Sequence, residues 1–300
     1  MTHDNLPDRL AISDMPTENE IAFIKAQLTA YNHQQTAGKI DFPGFECELA
    51  MRSASGDIVG GINVSSVLGV MFLEVLWVAG EYRKHGLARR LVWVAERLAE
   101  KAGCVGAGTW TFSFQGPEFY PRLGYELIGI YDGYPFGITE HVLMKALPDE
   151  RRPARDDMHD GFALIEEPTQ EDMKVVYDGF HQSCVASAGD EMHNPGIHVQ
   201  LVLKDAHGTA VGGLLASTTI RIMALEHLWV DARYRGQGYG KALVKEAERI
   251  AQTKGCVAVQ GTCFSFQSSG FFPEVGYERF GIANLYLDDF TEEYLIKRFK

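Results

Sequence analysis

Alternating apolar and polar positions at Glu46–Met51 and His198–Leu203 predict strands. Turns follow each of them, at Ser55-Gly56-Asp57 and at His207-Gly208-Thr209. The chain should return as strands over Val59–Val64 and Val211–Ala216, and again over the more apolar Val70–Val78 and Ile222–Val230. The period then changes. Leu243, Val244, Ala247, Ile250 and Ala251 share one helical face, so a helix is predicted from near Gly238, and a matching one from near Gly86. Gly255 and Gly103 should close these helices, because a left-handed residue ends a helix without a Cβ penalty. Further strands are predicted over Val105–Phe114 and Val257–Phe266, then short helices through Phe119-Tyr120 and Phe271-Phe272, then terminal strands. Earlier, Pro16-Thr17 before Glu20 and Pro168-Thr169 before Asp172 read as helix starts, with Glu20 completing a capping box.

Every predicted element occurs twice at a constant offset of 152 residues. Phe112-Ser113-Phe114-Gln115 recurs as Phe264-Ser265-Phe266-Gln267, Leu76-Trp77-Val78 as Leu228-Trp229-Val230, and Gly124-Tyr125-Glu126 as Gly276-Tyr277-Glu278. The stretch from Arg9 to Pro148 aligns without a gap on Gly161 to Lys300, at roughly one-third identity. A unit this long is a duplicated domain, since solenoid modules run to ~20–50 residues. We therefore expect domains over 1–148 and 161–300, joined by a charged, proline-interrupted linker over 149–160. The element order makes each domain mixed α/β.

Composition narrows the partners. The 300 residues are 46% hydrophobic and 23% charged, enough to bury two cores. A net charge of −12 disfavours nucleic acid as a general partner and leans toward cationic small molecules. Five cysteines without C-x-x-C spacing suggest reduced thiols rather than disulfides or a metal site. The polar opening Met1-Thr2-His3-Asp4-Asn5 lacks signal-peptide character, and no apolar run approaches the ~20 residues that span a bilayer, so a cytoplasmic protein is expected.

Chemistry concentrates where an apolar strand meets an amphipathic helix, at Arg83-Lys84-His85-Gly86-Leu87-Ala88-Arg89 and at Arg235-Gly236-Gln237-Gly238-Tyr239-Gly240-Lys241. Free N–H groups and the positive end of the helix dipole converge there, and glycine permits close approach of an anion. A single copy would serve equally as a plain turn. Two copies in the same context favour an anion site.

The pattern R-x-x-G-x-[GA] between an L-x-V strand and a helix, followed by Phe119-Tyr120 and then Gly124-Tyr125, resembles the GNAT N-acetyltransferase superfamily. The resemblance covers essentially the whole chain, twice, and tandem members of that family are known. It implies two GNAT-like domains, each a central splayed mixed sheet flanked by helices, with acetyl-CoA as co-substrate and no metal. It implies that the loop backbone holds the pyrophosphate, while the main chain at Leu76, Val78, Leu228 and Val230 bonds the pantetheine arm. The implied activity is acetyl transfer to a primary amine of a small molecule by direct attack on the thioester. The alternatives are a protein or peptide amine as acceptor, and a non-catalytic acyl-CoA-binding protein. Neither nucleic acid nor membrane is an implied partner, and the assembly is a monomer with pseudo-twofold halves or a homodimer.

Transfer to an amine needs a base and an acid. Glu74 and Glu226 stand four residues before Val78 and Val230, which places them on the same strand face by simple alternation. Each suits a base, or equally a carboxylate at the open edge or paired with an arginine. Tyr120 matches the family tyrosine that protonates the departing thiolate, and also suits core packing; Phe272 in the second copy has lost the hydroxyl. The first copy thus reads as competent and the second as built mainly to hold cofactor. Gln115 and Gln267 suit loop bracing, His85 and His227 are isolated, and Cys263 has no activating partner. Asp41, Phe42, Phe45, Tyr131, Asp132 and Tyr134 suit a cationic acceptor or, alternatively, a solvated loop.

Overall fold

In the computed structural model of the chain, residues 10–39, 44–149, 161–188, 196–268 and 270–300 are described. The first copy contains β1 (Ala11–Ser13), α1 (Glu18–Gln35), β2 (Glu46–Ser53), β3 (Ile58–Val67), β4 (Val70–Val78), α2 (Leu87–Lys101), β5 (Gly106–Phe112), β6 (Glu126–Tyr131) and β7 (Glu140–Ala146). The second repeats them as β8 (Phe162–Ile165), α3 (Gln170–Ala188), β9 (His198–Lys204), β10 (Ala210–Thr219), β11 (Ile222–Val230), α4 (Tyr239–Thr253), β12 (Ala258–Phe264), β13 (Glu278–Ala283) and β14 (Glu292–Arg298), with a short α-helix, α5 (Phe271–Glu274), where the first copy has a 3-10 helix, Pro117–Leu123. The expected strands and helices fall near their predicted positions, whereas β1 and β8, which precede the first helix of each copy, are not expected from the sequence. The strands predicted over 105–114 and 257–266 end earlier, because Phe112 and Phe264 give way to tight turns braced by Gln115 and Gln267.

Two seven-stranded sheets result, ordered β6-β7-β5-β4-β3-β2-β8 and β13-β14-β12-β11-β10-β9-β1. Within each, one pair is parallel, β4 with β5 and β11 with β12; the remaining pairs are antiparallel. The architecture is mixed α/β with two splayed sheets.

The structure departs from a simple split at the linker, because the two copies exchange their first strand and helix. β1 pairs with β9 of the second copy, Ile12 opposite Leu203, and β8 pairs with β2 of the first, Leu164 opposite Met51. Leu10 accordingly belongs to the second core, and Phe162 and Leu164 pack on the first. The helices follow their strands. Ile24 of α1 sits on Gly213 so closely that a Cβ there would lie 2.2 Å from its Cδ1, and Val176 of α3 sits on Gly61 in the same way at 2.5 Å. Each helix has the expected start: Thr17 and Glu20 exchange capping bonds, as do Thr169 and Asp172. The same carboxylates bind the opposite sheet, Glu20 to Lys204 at 2.6 Å and Asp172 to Arg52 at 2.9 Å. The linker expected over 149–160 lies, apart from Asp149, outside the described residues.

The halves also meet through the ends of their sheets. Tyr131, Tyr134, Ile138, Ile220, Ile222, Ala258 and Ile296 form one shared cluster. Tyr286, Tyr294 and Ala283 join Val70, Val142 and Met144 in another. Two buried carboxylates sit in this interface. Glu140 accepts from Tyr134 at 2.8 Å, and Glu292 accepts from Tyr286 and from Tyr294.

This corrects the reading of Tyr131 and Tyr134 as acceptor contacts. Both are buried between the halves, because the turn after β6 packs against the other sheet. Asp132 is bound to Arg298, and Phe45 packs beside the first core. Asp41 and Phe42 lie outside the described residues.

Candidate active site

β4 and β5 pair only from Val70–Gly106 to Leu73–Thr109, and β11 and β12 only from Ile222–Ala258 to Leu225–Gly261. Beyond those pairs the parallel strands part. The amide of Ala79 bonds Val59 on the β3 side, so alternation turns the peptide groups of Leu76 and Val78 toward the opening. The same holds for Leu228 and Val230, since Asp231 bonds Val211. Apart from the Val78 and Val230 carbonyls, which accept from Arg83 and Arg235, these edges must be satisfied by water or by a ligand, which gives each splay a row of donors and acceptors.

A bulge marks the point of parting. The β3–β4 register shifts so that Asn63 opposes Val75 while Val64 opposes Leu73, which leaves Glu74 as the extra residue; Glu226 is its counterpart in β11. The expectation that Glu74 shares a face with Val78 fails for this reason. Val78 is buried, whereas Glu74 and Glu226 are exposed, each accepting from a serine hydroxyl, Ser65 or Ser217.

In both loops a glycine caps the helix that follows. Gly86 and Gly238 occupy the N-cap positions of α2 and α4 in the left-handed region, with φ of 80° and 89°. Lys84 and Gly236 match each other and also have positive φ. Built onto Gly236 or Gly238, a Cβ would meet nothing within 4 Å, so the space over the backbone is open and positive φ is what calls for glycine.

Arg83 and Arg235 reach back to the strand ends, Nε donating to the carbonyls of Val78 at 3.0 Å and Val230 at 2.8 Å. They shape the loop as well as charging it. Lys84, His85, Gln237 and Lys241 are exposed beside it, Arg89 stacks over Trp93, and Ala88 and Gly240 lie in the first helical turn. Leu87 and Tyr239 are buried and anchor their helices.

Exchange of the helices puts one wall of each opening on the other copy. Arg235 stacks over Tyr31 at 4.7 Å, and Gln267 donates to Asn32 at 3.0 Å. At the equivalent places Arg83 reaches Ser183 at 3.4 Å and Gln115 reaches Cys184 at 3.2 Å. Around the second loop a cavity of about 410 Å³ is lined by Leu28 and Tyr31 of α1, Glu226 to Val230, Arg235, Gly236, Gly238 to Lys241, Thr262, Cys263 and Phe272.

The bases of the two openings differ. Tyr120 is buried against Phe119 and Tyr125, and its hydroxyl pairs with Thr109, the last residue matched between β4 and β5. Burial raises the phenol above its usual value, with the Thr109 hydrogen bond opposing the rise, so it remains a proton donor at neutral pH. In the second copy both hydroxyls are gone, Gly261 for Thr109 and Phe272 for Tyr120. Thr109, Tyr31 and Ser183 are residues that sequence reasoning missed. Only the Thr109/Gly261 change carried a signal, because it occurs together with Tyr120/Phe272.

The Cys263 thiol is pushed up to about 12 by burial and by Glu293 and Glu292, which removes it as a nucleophile. Among the described residues no group of three or more His, Cys, Asp or Glu is placed to hold a metal, and no helix is long and apolar enough to cross a membrane.

A model of the acetyltransferase (GNAT) family matches residues 18–125 and 161–277. Blasticidin-S acetyltransferase of Streptomyces morookaense is 40% identical over 93 residues, 31% of this chain and 68% of its own. An acetyltransferase of Agrobacterium fabrum is 28% identical over 118 residues, 39% of this chain and 84% of its own. Among solved structures, an acetyltransferase from Bacillus cereus aligns with a TM-score of 0.43 and 30% identity, covering 45% of this chain and 96% of that one.

Proposed function

The chain belongs to the acetyltransferase (GNAT) family, and on that premise we propose that it moves the acetyl group of acetyl-CoA to a primary amine of a small molecule. The observation that carries this reading is the joint placement of parted parallel strands, outward peptide groups at Leu76 and Val78, and a left-handed glycine at a helix N-terminus. An extended, phosphate-ended substrate fits such an arrangement: the open space over the loop backbone suits phosphate, and the strand edge suits the amides of the pantetheine arm.

In the first half, the amine nitrogen attacks the thioester carbonyl carbon, the C–S bond breaks, and the sulfur takes the Tyr120 proton. An alkylamine titrates near ~10.4, so its proton must be removed at neutral pH, and in this reading Glu74 at the bulge accepts it directly or through water. Arg83 holds the loop to the strand that orients the substrate. The acidic chain attracts a cationic acceptor, and the relative named for blasticidin S directs the search toward antibiotics. Five free thiols suit a cytoplasmic enzyme.

Release of free coenzyme A thiol is the assay, with acetyl-CoA, blasticidin S and a panel of simple primary amines. Calorimetric titration of acetyl-CoA gives the number of sites per chain. Thiol release that depends on one of these amines supports the reading. Absence of acetyl-CoA binding overturns it.

A further inference from the structure

The second opening lacks the Tyr120–Thr109 hydroxyl pair, but it carries an imidazole that the first does not: His227 stands where the first copy has Val75. His227 lines the cavity and directly follows the bulged Glu226. Its Nδ1 is buried and makes no hydrogen bond among the described residues. An orphaned buried ring nitrogen carries a desolvation penalty and calls for an explanation.

Alternation along β11 puts His227 on the face of Trp229, which α1 covers through Phe23 and Ile24. Leu228 and Val230 turn instead to the core beneath α4. The cavity therefore runs through the splay, from the glycine loop on one face to His227, Leu28 and Tyr31 on the other.

We infer that the second opening is itself a transfer site, in which the imidazole of His227 accepts the proton of the attacking amine. As the C–N bond forms and the C–S bond breaks, that proton passes to the ring; the departing sulfur takes one from solvent, and the imidazolium later returns its own. This inference rests on the proposed acetyl transfer and extends it to the half that lost the tyrosine.

The surroundings keep the ring neutral. Burial lowers its pKa most, Lys25 of α1 lowers it further, and Glu226 on its own strand opposes them. β10 contributes no titratable side chain, and Cys263 on β12 stays protonated. Arg235, Lys241, Tyr31, Tyr234, Tyr239 and Glu274 complete the titratable lining.

The test uses the full chain and the amines of the panel above. Tyr120→Phe should disable the first site and leave turnover whose kcat/KM falls on acidification, with its limb below the ordinary imidazole value of 6.5. Adding His227→Ala should cut that remaining kcat by about 10²-fold or more without changing the number of acetyl-CoA molecules bound, and added imidazole should restore part of it. A wild-type chain that turns over while Tyr120→Phe does not overturns the inference alone. So does a double variant as active as Tyr120→Phe, or one that imidazole fails to rescue. A wild-type chain that neither binds acetyl-CoA nor acetylates any amine overturns the proposed function, and this inference with it.

Discussion

Arg52 on β2 of the first copy binds Asp172 at the start of α3 in the second, 2.9 Å away, and Lys204 binds Glu20 as their counterparts. Asp172 is held below the usual carboxylate range chiefly by the Thr169 backbone amide, with Arg52 adding to it. Glu20 is lowered mainly by its bond to Lys204. The two pairs close the exchange at symmetric points. Because they are partly exposed, each should contribute modestly, about 0.5–1 kcal/mol. A double-mutant cycle of Arg52→Ala and Asp172→Ala, read by urea unfolding, should return coupling of that size. Zero coupling would mean that this pair adds nothing to the closure of the exchange.

Gly61 and Gly213 admit Val176 and Ile24 onto the sheets. Gly213→Ala places a Cβ 2.2 Å from Ile24 Cδ1 and should cost about 1–3 kcal/mol in unfolding free energy. Combining it with Ile24→Ala should remove the clash, so that the pair costs less than the sum of the single changes. Simple additivity would show that α1 does not rest there.

At the base of the first opening, Tyr120→Phe should lower first-site kcat by about 10²-fold while leaving acetyl-CoA binding intact. Phe272→Tyr alone should not raise second-site activity, because its hydroxyl would lack the partner that Thr109 supplies in the first copy. Steady-state kinetics of Phe272→Tyr with and without Gly261→Thr would expose the dependence.

Gly238 needs a left-handed backbone and nothing crowds its Cα, so Gly238→Ala isolates the conformational term. About 1–2 kcal/mol of strain should weaken acetyl-CoA binding at the second loop roughly tenfold. Gly86→Ala should do the same at the first. Calorimetry distinguishes the two by which of two sites weakens.

Burial pushes Glu140 up to about 7 from 4.5, against the hydrogen bonds from Tyr134 and Gln260. The folded chain therefore holds this proton more tightly than the unfolded chain does. Its stabilising contribution is complete below pH 4.5, and it is lost as pH rises toward 7, by about 3 kcal/mol in all. Glu140→Gln should flatten the fall in Tm between pH 5 and 8 and leave the variant more stable than wild type at pH 8. An unchanged slope would place the titration elsewhere.

Features that short stretches of chain decide were legible in the order of the residues. Apolar runs marked β4 and β11, Thr17 with Glu20 fixed the start of α1, and Gly86 and Gly238 marked the loops, since each rests on neighbours within a turn or a strand. The duplication was equally legible, being a property of the string. Which sheet receives β1 and β8 is set by long-range packing. Both β2 and β9 offer an alternating strand edge, and Ile12 or Leu164 would satisfy either, so contacts far apart in the chain choose between them. The tertiary structure also decided the side-chain direction of Glu74, because a bulge breaks the period of two on which the sequence reading relied. Tyr131, Tyr134 and His227 followed the same logic: a residue's neighbours across an interface or beneath an exchanged helix are not written beside it in the chain.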